Sequence, residues 1–229
     1  MEGKKIQKFE SEILKINQIT DSVKHITIST PDEFEFYPGQ FISLLIKNGE
    51  KDVRRPYSIA SKPSKKTLEL CIKIIPGGEF TPLINNLNEG DKINILGPMG
   101  DFIIKDDSKP LTFISTGTGI SPFRSMINHL LHGGNKNQLT LITGYRYEKN
   151  ILYESEFKEL ESKHPNFSYH RILSRDGDET GYVQDLITQN LNPESNYYIC
   201  GLKEMVLGTK ELLIEKGIPK ENIFIERYS

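Results

Sequence analysis

The chain has 229 residues, 36% hydrophobic and 26% charged, with a formal net charge of -2, which gives room for two domains and excludes wholesale disorder and a general nucleic-acid binder. Only two cysteines occur, Cys71 and Cys200, which excludes a disulfide-dense scaffold, a Cys-x-x-Cys site and a conventional iron–sulfur domain within these residues. The charged start predicts no signal peptide and no apolar run approaches the ~20 residues of a membrane span, so no membrane insertion and a cytoplasmic location are expected.

The first half has the texture of short strands. Residues 12–19 and 23–29 are β-favouring runs separated by the turn-prone Asp21-Ser22. Pro38-Gly39 marks a turn before an apolar strand at 41–46, and a strand at 67–75 closes on Pro76-Gly77-Gly78. A short helix is predicted at 81–87, with Thr81 as N-cap and Pro82 at the first helical position. A strand at 92–96 follows. Short strands broken by glycine and proline at this spacing predict an antiparallel barrel or sandwich.

The second half alternates. Strands are predicted at 111–115, 139–143, 167–173, 197–200 and 223–226; helices run through residue 131 and over 154–162, 183–189 and 203–215. This rhythm predicts a parallel sheet with helices on both faces. The polar stretch 105–110 separates the halves, giving expected domains at 1–107 and 108–229.

Between the strand at 111–115 and the next helix lies Thr116-Gly117-Thr118-Gly119-Ile120-Ser121-Pro122-Phe123. Glycines allow a sharp turn and close approach of a pyrophosphate, and a following helix offers N–H groups to an anion. By pattern alone this is equally an ordinary strand-to-helix turn. The third position of the usual dinucleotide fingerprint is Pro122, and no acidic residue ends the next strand. Instead Arg146 follows that strand and Ser174-Arg175 follows the third, groups that suit a 2′-phosphate better than a bare 2′-hydroxyl.

The order Arg55-Pro56-Tyr57-Ser58, Gly78-Glu79-Phe80-Thr81, Gly97-Pro98-Met99-Gly100, Gly117-Thr118-Gly119-Ile120-Ser121-Pro122, Cys200-Gly201-Leu202-Lys203-Glu204-Met205 and Glu226-Arg227-Tyr228 resembles the ferredoxin–NADP reductase superfamily over nearly the whole chain. The resemblance implies an N-terminal antiparallel β-barrel that binds FAD, followed by an α/β domain that binds NADPH. It implies that Arg55 meets the FAD pyrophosphate and that Pro56 belongs to the same grip. Tyr57 would lie on one face of the isoalloxazine, with Ser58 near flavin N5. Gly78, Phe80 and Thr81 would present donors to the pyrophosphate. Thr118, Gly119 and Pro122 match the coenzyme's pyrophosphate turn, Ser174 and Arg175 its 2′-phosphate contacts, and Tyr182 the ring on its adenine. Thr180 stands where some members have lysine. Cys200, with Gly201 and Met205 in its motif, would lie near nicotinamide C4. Glu226 would help manage the proton at N5, and Tyr228 would cover the other flavin face and yield its place to nicotinamide, although Ser229 extends one residue beyond it. Read without the family, Arg55 and Tyr57 are a charged strand end beside a core aromatic, and Cys200 is a buried structural cysteine.

His129 and His132 stand three apart with no further ligand motif, so no metal is expected. Lys62, Lys65 and Lys66 read as a solvated turn or as a surface for an acidic carrier. The implied partner is a one-electron carrier, ferredoxin or flavodoxin. The alternatives are an NAD(P)H flavin reductase, an oxygenase reductase component, or an electron-transfer subunit of a larger complex.

Overall fold

A computed structural model describes residues 4–49, 51–177 and 180–228; Ser229 lies outside the described residues. Contacts divide the chain into two units. Unit 1 is Met1–Ile103 together with Ser121–His129, and unit 2 is Ile104–Ile120 together with Leu130–Ser229.

Unit 1 is an antiparallel sheet of β1 (Gln7–Thr20), β2 (Val23–Ser29), β3 (Phe41–Asn48), β4 (Lys51–Ser58), β5 (Thr67–Lys73) and β6 (Lys92–Met99), ordered β4-β3-β6-β1-β2-β5. Strand β1 serves two partners. Residues 7–12 pair with β6 and residues 13–20 with β2, with register shifts at Ile13/Lys15 and Gln18/Thr20. Such irregularities bend a strand and increase its twist, which curls the sheet. The Ile59–Leu70 bridge and the Ala60 N–H bond to the Glu69 carbonyl, 2.8 Å, fasten the end of β4 to β5. Of the two all-β options, the curled sheet of a barrel is the one formed.

Alternation fills the interior. Leu68, Leu70 and Ile72 of β5 point inward and meet Ile26, Ile28, Ile42, Leu44, Ile93 and Ile95. Each such side chain contributes about 1.5–3 kcal/mol by leaving water. Strand β1 starts at Gln7, earlier than expected, because Phe9 and Ser11 alternate inward between exposed Lys8, Glu10 and Glu12. Strand β4 was legible only as a charged strand end at Arg55 and Tyr57, since Arg54, Arg55 and Pro56 give it no apolar run. Its place at the sheet edge makes the missing proline N–H harmless.

Helix α1 (Thr81–Asn85) buries Ile84 in this core. Its N-cap is Phe80 rather than Thr81. The Thr81 hydroxyl is spent elsewhere: it accepts from the Ile75 N–H at 2.9 Å and donates to the Ile75 carbonyl at 3.2 Å. Helix α2 (Ser121–His132) contributes its N-terminal part to unit 1. There Phe123 packs on Phe102 with ring centroids 6.0 Å apart, and Ser125 donates to the Ser61 carbonyl at 2.5 Å.

Unit 2 is a parallel sheet of β7 (Leu111–Thr116), β8 (Leu139–Tyr145), β9 (Phe167–Leu173), β10 (Asn196–Leu202) and β11 (Ile223–Tyr228), ordered β11-β10-β7-β8-β9. Val183 and Ile187 of α4 (Val183–Gln189) and Val206 and Leu213 of α5 (Lys203–Glu215) pack with Ile114, Ile142 and Ile199. Phe157 of α3 (Glu154–Lys163) lies against Phe167 and Tyr169 of β9. The strand order runs outward from β7 to β9 and then returns to β10 on the other side of β7. That reversal is a topological switch point, where the carboxyl ends of the strands leave a crevice for a ligand. Among the described residues, no helix is long and apolar enough to cross a membrane.

Candidate functional site

In unit 1 the four residues Arg55-Pro56-Tyr57-Ser58 occupy the end of edge strand β4, opposite Leu44, Ser43, Ile42 and Phe41 of β3. Strand alternation sends Arg55 and Tyr57 to one face and Pro56 and Ser58 to the other. Arg55 is exposed; its NH1 donates to the Arg54 carbonyl at 2.8 Å and its NH2 to Glu79 Oε2 at 2.9 Å. Tyr57 is half-buried, its ring 6.0 Å from that of Phe80, and burial pushes its hydroxyl up to about 12, against the pull of Arg55. It is therefore neutral throughout the physiological range. Ser58 is buried.

Gly78 lies in the loop from β5 into α1, Phe80 is the helix N-cap and Thr81 its first residue. With the Thr81 hydroxyl held by Ile75, what this loop offers a ligand is main chain. The guanidinium fork on an edge strand, an amphipathic ring beside it and a glycine-rich loop suit a flavin that carries phosphate.

In unit 2 the switch point is built from glycines. Residues Gly117–Ile120 form a single 3-10 turn leading from β7 into α2. A Cβ on Gly119 would come within 2.4 Å of the Cys200 carbonyl oxygen, so only glycine lets this turn lie on the end of β10. Gly201 has φ +153, and its Cβ would meet Thr116 Oγ1 and Met205 Cε, each at 2.7 Å. The Thr116 hydroxyl is buried and has no hydrogen-bond partner in the structure. Nothing in the sequence signalled that group. Thr118 is half-buried in the turn, and Pro122 is buried in the first turn of α2. A glycine-woven strand-to-helix turn at a switch point is the cradle a dinucleotide pyrophosphate requires.

The adjoining strand ends bring together most of the other expected residues of this unit. Cys200 lies opposite Glu226 in the β10–β11 register, and its Sγ donates to Glu226 Oε2 at 3.9 Å. Burial, and then the charge of Glu226, push the thiol well above its ordinary range, against a hydrogen bond from Tyr228. Cys200 is a neutral thiol here and not a thiolate nucleophile. Tyr228 pairs with Leu202 two positions on. Met205 is half-buried in the first turn of α5, its sulfur accepting from Thr209 at 3.6 Å.

Beyond β8 and β9 the two chains stay paired: the Ser174 N–H donates to the Tyr145 carbonyl and the Arg175 N–H to the Arg146 carbonyl, both at 2.9 Å. Exposed Arg146 and Arg175 therefore stand on neighbouring strand ends. Tyr182 precedes α4 and is 68% exposed, held through its own N–H to Asp185 Oδ2 at 2.7 Å. Leu202, 57% exposed at the start of α5, is a second large apolar side chain at this end of the sheet, and the sequence did not single it out.

Two family models match the chain: the oxidoreductase FAD-binding domain over residues 10–104 and the oxidoreductase NAD-binding domain over residues 113–211. The chain belongs to the ferredoxin–NADP reductase-like superfamily. It is a flavin-dependent oxidoreductase that uses FAD and a nicotinamide coenzyme. Ferredoxin–NADP reductase B of Sorangium cellulosum is 30% identical over 96% of this chain and 97% of its own length. The toluate 1,2-dioxygenase electron transfer component of Pseudomonas putida is 25% identical, covering 96% of this chain and 68% of the relative. The crystal structure of a ferredoxin–NADP+ reductase from Neisseria gonorrhoeae with bound FAD and NADP superposes with a TM-score of 0.85, at 25% identity, over 96% of this chain and 98% of that one.

Proposed function

We propose that this superfamily member exchanges electrons between NADPH and a separate one-electron carrier of the ferredoxin or flavodoxin kind. The observation that carries the reading is the buried Cys200 thiol paired with Glu226 beside a turn closed by Gly119. When bound, FAD supplies the chemistry that links a two-electron hydride donor to one-electron transfer. The protein supplies position and charge. Arg55 holds the FAD pyrophosphate with its fork, helped by the main chain around Gly78, Phe80 and Thr81. Neutral Tyr57 covers one face of the isoalloxazine and adds no charge there. The Ser58 hydroxyl serves the proton at flavin N5, with Pro56 fixing the strand between the two.

On the coenzyme side, Thr118, Gly119 and Pro122 receive the pyrophosphate. Arg146, Ser174 and Arg175 take the 2′-phosphate, and Tyr182 stacks on the adenine. Cys200, with Gly201 and Met205 shaping its surroundings, orients the nicotinamide as a neutral hydrogen-bonding thiol. Glu226 exchanges the proton, and Tyr228 gives up its place to nicotinamide. Replacing Tyr228 by Ser removes that competition and should tighten nicotinamide binding about tenfold in a spectral titration; unchanged binding rejects the gating role.

With only two cysteines in 229 residues, a cysteine-ligated cluster must lie outside them. Cys71 and Cys200 are buried and not joined in a disulfide, which suits the reducing cytoplasm, the compartment we assign. Similarity to the dioxygenase electron transfer component supports a second reading, an oxygenase reductase component. Stopped-flow reduction by NADPH and NADH, followed by transfer to ferredoxins, flavodoxins and oxygenase proteins, decides. Fast NADPH reduction with transfer to a ferredoxin or flavodoxin supports the first reading, whereas transfer only to an oxygenase protein replaces it with the second.

A further inference from the structure

The Arg55 guanidinium is already engaged by a carboxylate. Its NH2 lies 2.9 Å from Glu79 Oε2, and its NH1 is turned back onto the Arg54 carbonyl at 2.8 Å. Glu79 is not a loose neighbour. It sits in the loop from β5 into α1, which is pinned on both sides of it: the Gly78 N–H donates to the Ile75 carbonyl at 3.1 Å, and the Thr81 hydroxyl accepts from the Ile75 N–H and donates to the Ile75 carbonyl. This short loop presents the Glu79 carboxylate to the edge of β4 where Arg55 projects. Carboxylate and phosphate oxygens compete for the same N–H edges of a guanidinium, because both match the spacing of its fork.

We propose that Glu79 is a charge brake on flavin binding, lowering the affinity of unit 1 for flavins that carry phosphate while leaving neutral flavin alone. The proposal rests on the reading of Arg55 as the phosphate grip. A phosphate that takes Arg55 must either displace the carboxylate or keep a like charge beside it, and both cost affinity. The side chains of Arg55 and Glu79 are 47% and 55% exposed, so water and salt screen the effect and keep it modest. The brake therefore narrows the preference for FAD over riboflavin without reversing it, and favours exchange of the cofactor over permanent retention.

The chain contains no tryptophan, so the flavin's own fluorescence reports binding cleanly. Titration of the full chain with FAD, FMN and riboflavin, at low and high ionic strength, compares the natural protein with E79Q and R55Q. We expect E79Q to bind FAD and FMN about threefold more tightly at low salt, with the gain shrinking at high salt and riboflavin unchanged. Unchanged or weaker FAD binding by E79Q overturns the brake, as does an equal gain for riboflavin, which would mean altered packing. R55Q separates the two ideas. If it binds FAD as the natural protein does, the reading of Arg55 as the grip fails and the brake fails with it. If R55Q loses FAD affinity while E79Q gains none, the grip stands and only the brake is lost.

Discussion

The two candidate phosphate sites are made of different materials. In unit 1 a half-exposed arginine on an edge strand faces a half-exposed glutamate; in unit 2 a glycine turn lies so close to β10 that a methyl group on Gly119 would stand 2.4 Å from a carbonyl oxygen. The first works by charge, is open to salt and tolerates substitution. The second works by shape, and its tolerance is nearly nil. On the proposed reading, single surface changes tune flavin affinity, while the Gly119 turn accepts almost none.

Gly119→Ala is the harshest test of that contrast. The added methyl must push the turn off the Cys200 carbonyl, so coenzyme-driven flavin reduction should fall about 100-fold and stability by about 1–3 kcal/mol, with flavin content unchanged. Stopped-flow absorbance and a urea melt read both, and a variant that reduces its flavin at the natural rate would show that the turn has slack.

A half-buried charge cluster gives the next largest effect. Glu69 is held by His25 at 3.7 Å and Arg124 at 2.6 Å, and Arg124 also donates to the Ala60 carbonyl at 3.0 Å. The His25 hydrogen bond, then the charge and hydrogen bond of Arg124, hold the Glu69 carboxyl at about 2 against the opposing push of burial. Because the folded value lies below the ordinary 4.5, this contribution is fully present above about pH 4.5 and is lost as pH falls toward 2. Arg124→Gln should cost about 2 kcal/mol at neutral pH, since it strips a half-buried carboxylate of its permanently charged partner. It should also move the acid loss upward toward pH 4.5, seen in urea melts across that range. A neutral-pH cost near zero would place this pair with the weak surface pairs.

The smallest effects should come from the exposed arginines of unit 2. Replacing Arg146 or Arg175 by Ala should raise the KM for NADPH about tenfold and leave that for NADH unchanged. Equal changes for both coenzymes would mean that these side chains do not distinguish a 2′-phosphate.

Much of unit 2 was legible because hydrophobic periodicity and its punctuation coincide there: helices α4 and α5 and strand β9 fall where the pattern placed them. Strands β10 and β11 run further than expected, since Gly201-Leu202 and Arg227-Tyr228 keep pairing where the apolar run has ended. Unit 1 was harder. Strand β4 hides behind two arginines and a proline, and the long β1 hides its first half behind outward charges. The motif residues could be named from sequence, but not what they touch. Glu79 on Arg55 and Glu69 on Arg124 are separated by long stretches of chain, and a pairing across such stretches leaves no periodic trace. The orphan hydroxyl of Thr116 is equally silent, because a threonine ending a strand looks the same whether or not its oxygen is satisfied.

The membership of Ser121–His129 in unit 1 has a consequence for how the chain is made. A ribosome delivers all six strands of unit 1 before Phe123, Arg124 and Ser125 emerge. Until then Glu69 lacks its arginine and Phe102 lacks the ring of Phe123. A nascent chain halted after residue 107 would hold every strand of that unit and still be missing part of its core. Completion of the flavin unit is thus timed by synthesis of the glycine turn, which comes off the ribosome immediately before the helix that finishes it.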